Sequence, residues 1–358
     1  MHTFVVKRYI SEIKFKELSS KYFMNQVNER CWRSNVYNRK GIDQVELHIS
    51  FITCKTGKMT IKKYFILLRC NANQLLGNNK YCITNLNTYT PDMIIKALNN
   101  RLIEMKELRN ISINTANIRE WLTDRADLAI DVKSPFPSIH IWLCNHGVPY
   151  RYESMKRKKI NKTKEVLYKE SCCFENGSKE INIYDKEVAL INKSDVDHRQ
   201  VNKMKGVIRV EFQIKRQGIK NNAKGLQSKR SIAPYLDKNY VYGFISHKIE
   251  GIFGKEKYVN TSTAIKIIDN STFSNDEKVK MKETLYLIHQ KGGLYELEES
   301  LYHNDQILEQ KIGSLNTFKR TRLKNIRSLG INPVTIPDDF GITELPSLLE
   351  LIYKKIAE

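Results

Sequence analysis

Four stretches of the chain alternate apolar and polar residues with a period of two, and this pattern commits much of the sequence to β-sheet. In VIRVEFQIKR (207–216), Ile208, Val210, Phe212 and Ile214 fall on one face, and Arg209, Glu211, Gln213 and Lys215 on the other. EINIYDK (180–186) sets Ile181 and Ile183 against Asn182, Tyr184 and Lys186. RADLAIDVK (125–133) sets Ala126, Leu128, Ile130 and Val132 against Arg125, Asp127, Ala129, Asp131 and Lys133. VELHISFI (45–52) sets Val45, Leu47, Ile49 and Phe51 against Glu46, His48 and Ser50. One apolar face per strand is the mark of antiparallel strands lying on a core. YFILLRC (64–70) reads as a further, mostly apolar strand.

Helical spacing appears over 91–108 and then dominates beyond about residue 217, in NYVYGFISHKIEGIF, SNDEKVKMKETLYLIHQKG, LYELEESLYHNDQILEQKIG and SLNTFKRTRLKNIRSLG. Several of these runs start after Ser, Asn or Asp and stop at Gly. The expected fold is α+β. An antiparallel-sheet domain fills 1–220, and a smaller helical C-terminal domain fills 221–358, with the boundary near 217–230 where Gly, Asn, Lys and Ser accumulate. A polar loop is expected over 192–206.

Charge narrows the partners. Sixty Lys and Arg against 39 Asp and Glu give a formal charge of +21. Such an excess repels itself in the compact state and attracts polyanions. Nucleic acid is the first candidate and an anionic membrane surface the second, since no basic amphipathic helix without a core role stands out. A 41% apolar fraction is enough for a core and excludes wholesale disorder. No window reaches the ~20 apolar residues of a membrane span, and the start carries no secretory-signal pattern. Seven cysteines with no C-x-x-C pair argue against a zinc ribbon or a disulfide framework and for free thiols in a reducing cytoplasm.

Two segments concentrate the positive charge. MKRKKINKTK (155–164) contains Lys156, Arg157, Lys158 and Lys159 and no acid, with Tyr150, Tyr152 and Tyr168 nearby. It suits phosphate tracking, with aromatics stacking on bases. TFKRTRLKNIRSLG (317–330) contains Lys319, Arg320, Arg322, Lys324 and Arg327. It suits a DNA-contacting helix in a helix-turn-helix arrangement; the alternative is an amphipathic bundle helix with a basic outer face.

Chemistry is suggested by the polar faces. If the strands holding Asp127 and Asp131, Tyr184 and Lys186, and Arg209 and Glu211 are neighbours, one sheet face collects carboxylates, a tyrosine, a lysine and an arginine. Hard oxygen ligands suit Mg²⁺ or Mn²⁺, and a tyrosine hydroxyl is a competent nucleophile for phosphate. Asp127 and Glu211 are the first metal-ligand candidates, the alternative being ion pairs with Arg125 or Arg209. His140 and His146 flank Trp142 and read as packed or surface residues.

The ordered set TDRADLAIDV, EINIYDKEVAL and GVIRVEFQIKR resembles the gene II/X-type replication initiators of filamentous phages and related plasmids. LLRCNANQLLGNN (67–79) resembles that family's strand and turn, with Asn78 where His is common, and SLNTFKRTRLKNIRSLGINP (314–333) resembles its C-terminal basic helix. The resemblance spans roughly residues 60–335. It implies a rolling-circle nickase domain that cuts one strand of origin DNA, joins the 5′ end through tyrosine and later rejoins the displaced strand. On this reading Tyr184 is the nucleophile and Lys186 stabilises the phenolate or phosphate. Asp127, Glu211, Asp131 and His48 hold Mg²⁺ or Mn²⁺, replacing the missing His-x-His pair. Tyr235 is the rival nucleophile. The implied partners are single- and double-stranded origin DNA and a helicase of the bacterial host, in whose cytoplasm the protein works, with no membrane and no small-molecule substrate. No G-x-x-x-x-G-K-[ST] loop occurs, so ATP hydrolysis is not expected. The competing class is a DNA-binding regulator without enzymatic activity.

If the two basic segments neutralise ~6 to 8 phosphates, DNA affinity should fall by about three to four orders of magnitude between 50 and 200 mM salt. Titration by fluorescence anisotropy at several salt concentrations checks this, and a flat response would remove the electrostatic reading of the charge.

Overall fold

The computed structural model describes residues 2–23, 25–34, 40–53, 60–79, 81–105, 121–157, 171–191, 193, 196, 198–225 and 230–358. The fold is α+β, with a large antiparallel sheet and several helices. Contacts divide the chain into two compact units. The first contains Met1–Ile130, Gly177–Glu180 and Glu211–Gly243, and the second Asp131–Asn176, Ile181–Val210 and Phe244–Glu358. The boundary read near 217–230 marks where strands give way to helices, whereas the contacts group segments from both sides of it.

The strands are β1 (Thr3–Ile10), β2 (Asn25–Asn28), β3 (Cys31–Arg33), β4 (Ile42–Thr53), β5 (Thr60–Asn71), β6 (Leu122–Lys133), β7 (Lys156–Arg157), β8 (Ser171–Glu175), β9 (Lys179–Asp185) and β10 (Val207–Ile214). In the first unit the hydrogen-bonded order is β2-β3-β4-β5-β1-β6-β10-β9. β1 lies antiparallel between β5 and β6, and β4 pairs antiparallel with β3 and β5. A bulge interrupts the β1–β6 register between Val5 and Val6. Phe4, Val6, Val45, Leu47, Ile66 and Leu68 are buried on one face. Helix α1 (Glu12–Lys21), capped by the Ser11 hydroxyl accepting from the Lys14 amide, adds Phe15 and Leu18 to the core. The Phe15 ring meets Trp32 edge-on and tilts against Tyr64.

Helix α2 (Pro91–Glu104) starts where the sequence predicts, with Thr90 as N-cap and Pro91 in the first turn, and ends at Glu104. The rest of the predicted 91–108 run lies beyond that end, and residues 106–108 are outside the described residues. The expected linker begins instead with helix α3 (Arg216–Gly225). Its signal was hidden by two glycines and two asparagines, but Gly218 has a packing role. A Cβ there would stand 2.6 Å from the Ser178 carbonyl oxygen.

In the second unit the strand order is β6-β10-β9-β8-β7. Helix α4 (Pro137–Gly147) is followed, after the later strands and a long helix over Lys238–Phe253, by α5 (Thr261–Asp269), α6 (Asn275–Gln290), α7 (Leu294–Tyr302), α8 (Gln306–Ile312) and α9 (Leu348–Ala357). A helical run between α8 and α9 comprises Leu315–Thr317, a π-helical turn Phe318–Leu323 and Lys324–Ser328. LYELEESLYHNDQILEQKIG, which reads as one helix, is two. Asn304 adopts a positive φ of 59° and Asp305 caps the next helix through the Leu308 amide. The expected loop over 192–206 contains the short helix His198–Lys203. Among the described residues, no helix is long and apolar enough to cross a membrane.

His140 is a packed core histidine, as the sequence suggests. It is fully buried, donates from Nε2 to the Pro346 carbonyl at 3.0 Å, and accepts at Nδ1 from the Ser134 hydroxyl at 2.8 Å. Burial lowers its pKa against the opposing effect of its hydrogen bond to Pro346. The fold therefore favours neutral His140, and its contribution is present above the unfolded-chain pKa of about 6.5 and lost as pH falls below it. Thermal melts between pH 7.5 and 5.5 should show a steeper loss of Tm in the wild type than in His140→Gln. Parallel curves would mean that another group sets the acid limit.

Candidate functional site on the polar face of the sheet

Directly opposed residues in paired strands project to the same face. In the first unit one row therefore holds Cys31, His48, Phe65 and Tyr9, and the next holds Arg33, Glu46, Leu67 and Lys7. This face is charged and aromatic where the other is apolar. His48 stacks on Phe65 with ring centroids 5.1 Å apart and planes 5° apart, and Tyr9 meets Phe65 edge-on.

The charges here are mostly buried, so each needs an opposite partner. Lys7, 1% exposed, pairs with Asp124 at 2.8 Å, and its ammonium lies 5.1 Å from the Phe65 centroid. Arg216 and Arg230 approach Asp124 at 3.6 and 3.9 Å. Burial lowers the pKa of Lys7, Asp124 opposes the shift, and the two arginines add to it.

Further along the same face, Arg125 grips Asp127 with two bonds, Nε to Oδ1 at 2.8 Å and Nη2 to Oδ2 at 2.5 Å. The Thr3 hydroxyl also donates to Asp127. Burial disfavours the Arg125 charge, but Asp127, with Glu211 and Glu180 beyond it, outweighs burial and raises its pKa. Asp127 and Glu211 are thus brought to one arginine, and Asp127 is in the ion pair that the sequence left as its alternative role. Both its oxygens are engaged, which does not fit a resident hard cation.

His48 does not join them. Asp127 is tied to Thr3, whereas His48 shares a row with Tyr9. Those two positions are six residues apart on β1, or ~20 Å. His48 instead contacts Glu46 Oε2 at 2.8 Å and Cys31 Sγ at 3.7 Å. Glu46 also accepts from Arg33 at 2.9 Å and from Gln44. The His48 hydrogen bond is the main influence drawing the Glu46 pKa down to about 2; burial opposes it and Arg33 assists. Burial, with the Glu46 charge, pushes the Cys31 thiol up to about 11. Among the described residues, Cys31, Glu46 and His48 are the one group of three metal-capable side chains with donor atoms within 4.8 Å of one another. The sequence offered half of this signal, in the alternating Glu46 and His48. Cys31 joins only through strand pairing, which its spacing does not reveal.

In the second unit, Arg209 is fully buried and holds Asp131 through Nε–Oδ1 at 2.6 Å and Nη2–Oδ2 at 2.7 Å. Asp131 is therefore engaged by an arginine, as Asp127 is. Tyr184 lies on β9, but the strand ends at Asp185 and Lys186 opens a short helix (Lys186–Ile191) instead of continuing the polar face; its ammonium lies 5.9 Å from the Tyr184 ring centroid. Tyr184 is half-buried and Lys186 is 3% exposed. In the first unit the rival Tyr235 is buried; burial raises its pKa, and its hydroxyl accepts from Asn222 at 3.3 Å.

The basic helix divides between inside and outside. Arg322 is buried and donates to Glu283 at 2.9 Å and to the carbonyls of Lys280 and Lys311. Lys319 pairs at 2.8 Å with Glu298, itself 1% exposed. These two of the three predicted DNA contacts thus hold the helices together, because a buried carboxylate or carbonyl needs a donor. Arg320 and Lys324 are exposed on the same run. Lys156 is exposed on β7 beside Glu175. The Arg157 side chain, Lys158 and Lys159 lie outside the described residues. Comparison with protein-family models, curated proteins and solved structures found no match.

Arg322→Ala should cost roughly 2 kcal/mol, since it removes a buried side chain and the donor of the Lys280 and Lys311 carbonyls. Arg320→Ala with Lys324→Ala should leave Tm nearly unchanged and lower DNA affinity. Chemical denaturation and anisotropy on the same samples check this, and an unchanged stability in Arg322→Ala would show that the clamp is idle.

Proposed function

We propose that the chain is a rolling-circle replication initiator: a site-specific endonuclease that nicks one strand of origin DNA through Tyr184 and later rejoins the displaced strand. The observation that carries this reading is the strand order. β6, β10 and β9, which hold the three motifs resembling gene II/X-type initiators, run consecutively. The finer fold reading, a nickase domain followed by a smaller helical DNA-binding domain, belongs to the same proposal. Two further features support it: the Lys186 ammonium near the Tyr184 ring, and the net charge of +21.

In the proposed step, the Tyr184 phenolic oxygen attacks the scissile phosphorus. The bond to the 3′ oxygen breaks, the 5′ phosphate stays on the tyrosine, and the phenolic proton ends on the 3′-hydroxyl that primes synthesis. Lys186 offers a positive charge while the phenol oxygen is anionic, and burial strengthens such an interaction. The half-buried Tyr184 suits attack on a bulky strand better than the buried Tyr235. Family resemblance implies Mg²⁺ or Mn²⁺, but Asp127 and Asp131 are engaged by arginines and no step is assigned to a metal. The partners proposed are origin DNA and a bacterial host helicase, in the cytoplasm.

Tyr184→Phe keeps the ring and removes the hydroxyl. It should bind origin DNA normally, yet give no nicked circles and no covalent adduct with supercoiled replicon DNA in Mg²⁺ or Mn²⁺. Mass spectrometry of the wild type should find the nucleotide on the peptide containing EINIYDK. An adduct on the Tyr235 peptide would move the nucleophile. Wild-type nicking by Tyr184→Phe with no adduct on any tyrosine would end the covalent mechanism. Bound but unbroken DNA with the wild type would favour the regulator.

A further inference from the structure

Cys31 and His48 face each other across β3 and β4, and Glu46 lies two residues from His48 on the same face. Their sulfur, nitrogen and oxygen donors lie within 4.8 Å of one another. We propose that Cys31, Glu46 and His48 bind a zinc ion, with water in the fourth position. Bonds of ~2.3 Å to sulfur and ~2.0 to 2.1 Å to nitrogen and oxygen place the ligand atoms of a tetrahedral zinc about 3.3 to 3.6 Å apart. The separations here are 3.7 Å for sulfur to Nε2 and 2.8 Å for Nε2 to Oε2. Both are within ~0.6 Å of that requirement, and all three donors lie within 4.8 Å of one another, so modest side-chain shifts bring them to one ion.

The ligands are also aimed. Stacking on Phe65 fixes the His48 ring plane. Arg33 and Gln44 hold Glu46 by Oε1, so Oε2 is the oxygen turned to His48. Outer partners of this kind orient ligands in metal sites. A thiolate with an imidazole and one carboxylate is a borderline-soft set that selects zinc over magnesium. As the sulfur–zinc bond forms, the Cys31 proton leaves to solvent. Thiolate and carboxylate then neutralise the ion, and the three-residue β3 becomes fastened to β4 through metal as well as backbone. The proposal does not depend on the nicking reading.

Chelator-stripped full-length protein, titrated with zinc against a chromophoric chelator, should bind one ion per chain. Cys31→Ser and His48→Gln should each weaken binding by at least ~100-fold, whereas Cys82→Ser, outside the cluster, should not. Cobalt in place of zinc should give a thiolate-to-metal charge-transfer band in the near ultraviolet, absent in Cys31→Ser. Zinc should raise the Tm of the wild type and of Cys82→Ser only. Absence of stoichiometric binding, or equal zinc affinity in the wild type, Cys31→Ser and His48→Gln, would overturn the proposal. Should Cys31→Ser fail to fold, His48→Gln and the cobalt spectrum of the wild type decide it.

Discussion

A charge removed from water must be met by an opposite charge or by hydrogen bonds, and the polar side of this sheet is organised by that requirement. Lys7 with Asp124 and Arg125 with Asp127 are ion pairs of which at least one member is almost wholly buried. Desolvation of such ions costs several kcal/mol each and is offset only by close geometry. The two-bond Arg125–Asp127 contact and the Thr3 hydroxyl supply that geometry. Replacing one partner would leave the other stranded. These pairs therefore fix the face of each strand, because a one-residue slip would carry every charge into the apolar layer.

The same requirement explains what was legible in the sequence. Alternation in 45–52, 125–133, 180–186 and 207–216 revealed the strands, since a period of two has few other causes. It did not reveal how deeply the polar face is covered. Asp127 and Arg209 fall on the polar side of the alternation and are wholly buried. Burial of a polar face depends on what covers it, which is a tertiary fact. Helix α3 is not legible for a related reason, because its few apolar residues, such as the buried Ile219, give no clear period.

At the candidate sites, residues close in sequence were easier to read than residues joined by pairing. Tyr184 and Lys186 are two residues apart and lie together, although the strand ends at Asp185 and Lys186 begins the next helix. Arg209 alternates with Glu211 on one strand, and its two-bond contact with Asp131 on β6 appears only in the fold, because bidentate geometry needs a carboxylate facing the guanidinium edge. Cys31 meets His48 only because β3 pairs with β4 in one register.

The basic helix shows why net charge locates a function poorly. Five cations in fourteen residues suggest one binding surface, but a helix buries part of its circumference. Arg322 faces inward and supplies donors where carbonyls of Lys280 and Lys311 would otherwise lack them. Lys319 neutralises Glu298, a carboxylate that burial pushes toward its protonated form and that also accepts from the Tyr150 amide. A long cation can reach a buried acid while its stem covers apolar surface, so lysine and arginine serve here as packing residues. The π-helical turn at Phe318–Leu323 widens the helix where Phe318 and Leu323 enter the hydrophobic core. Charge available to a polyanion is thus what remains outside, Arg320 and Lys324, after the inner cations have satisfied the fold.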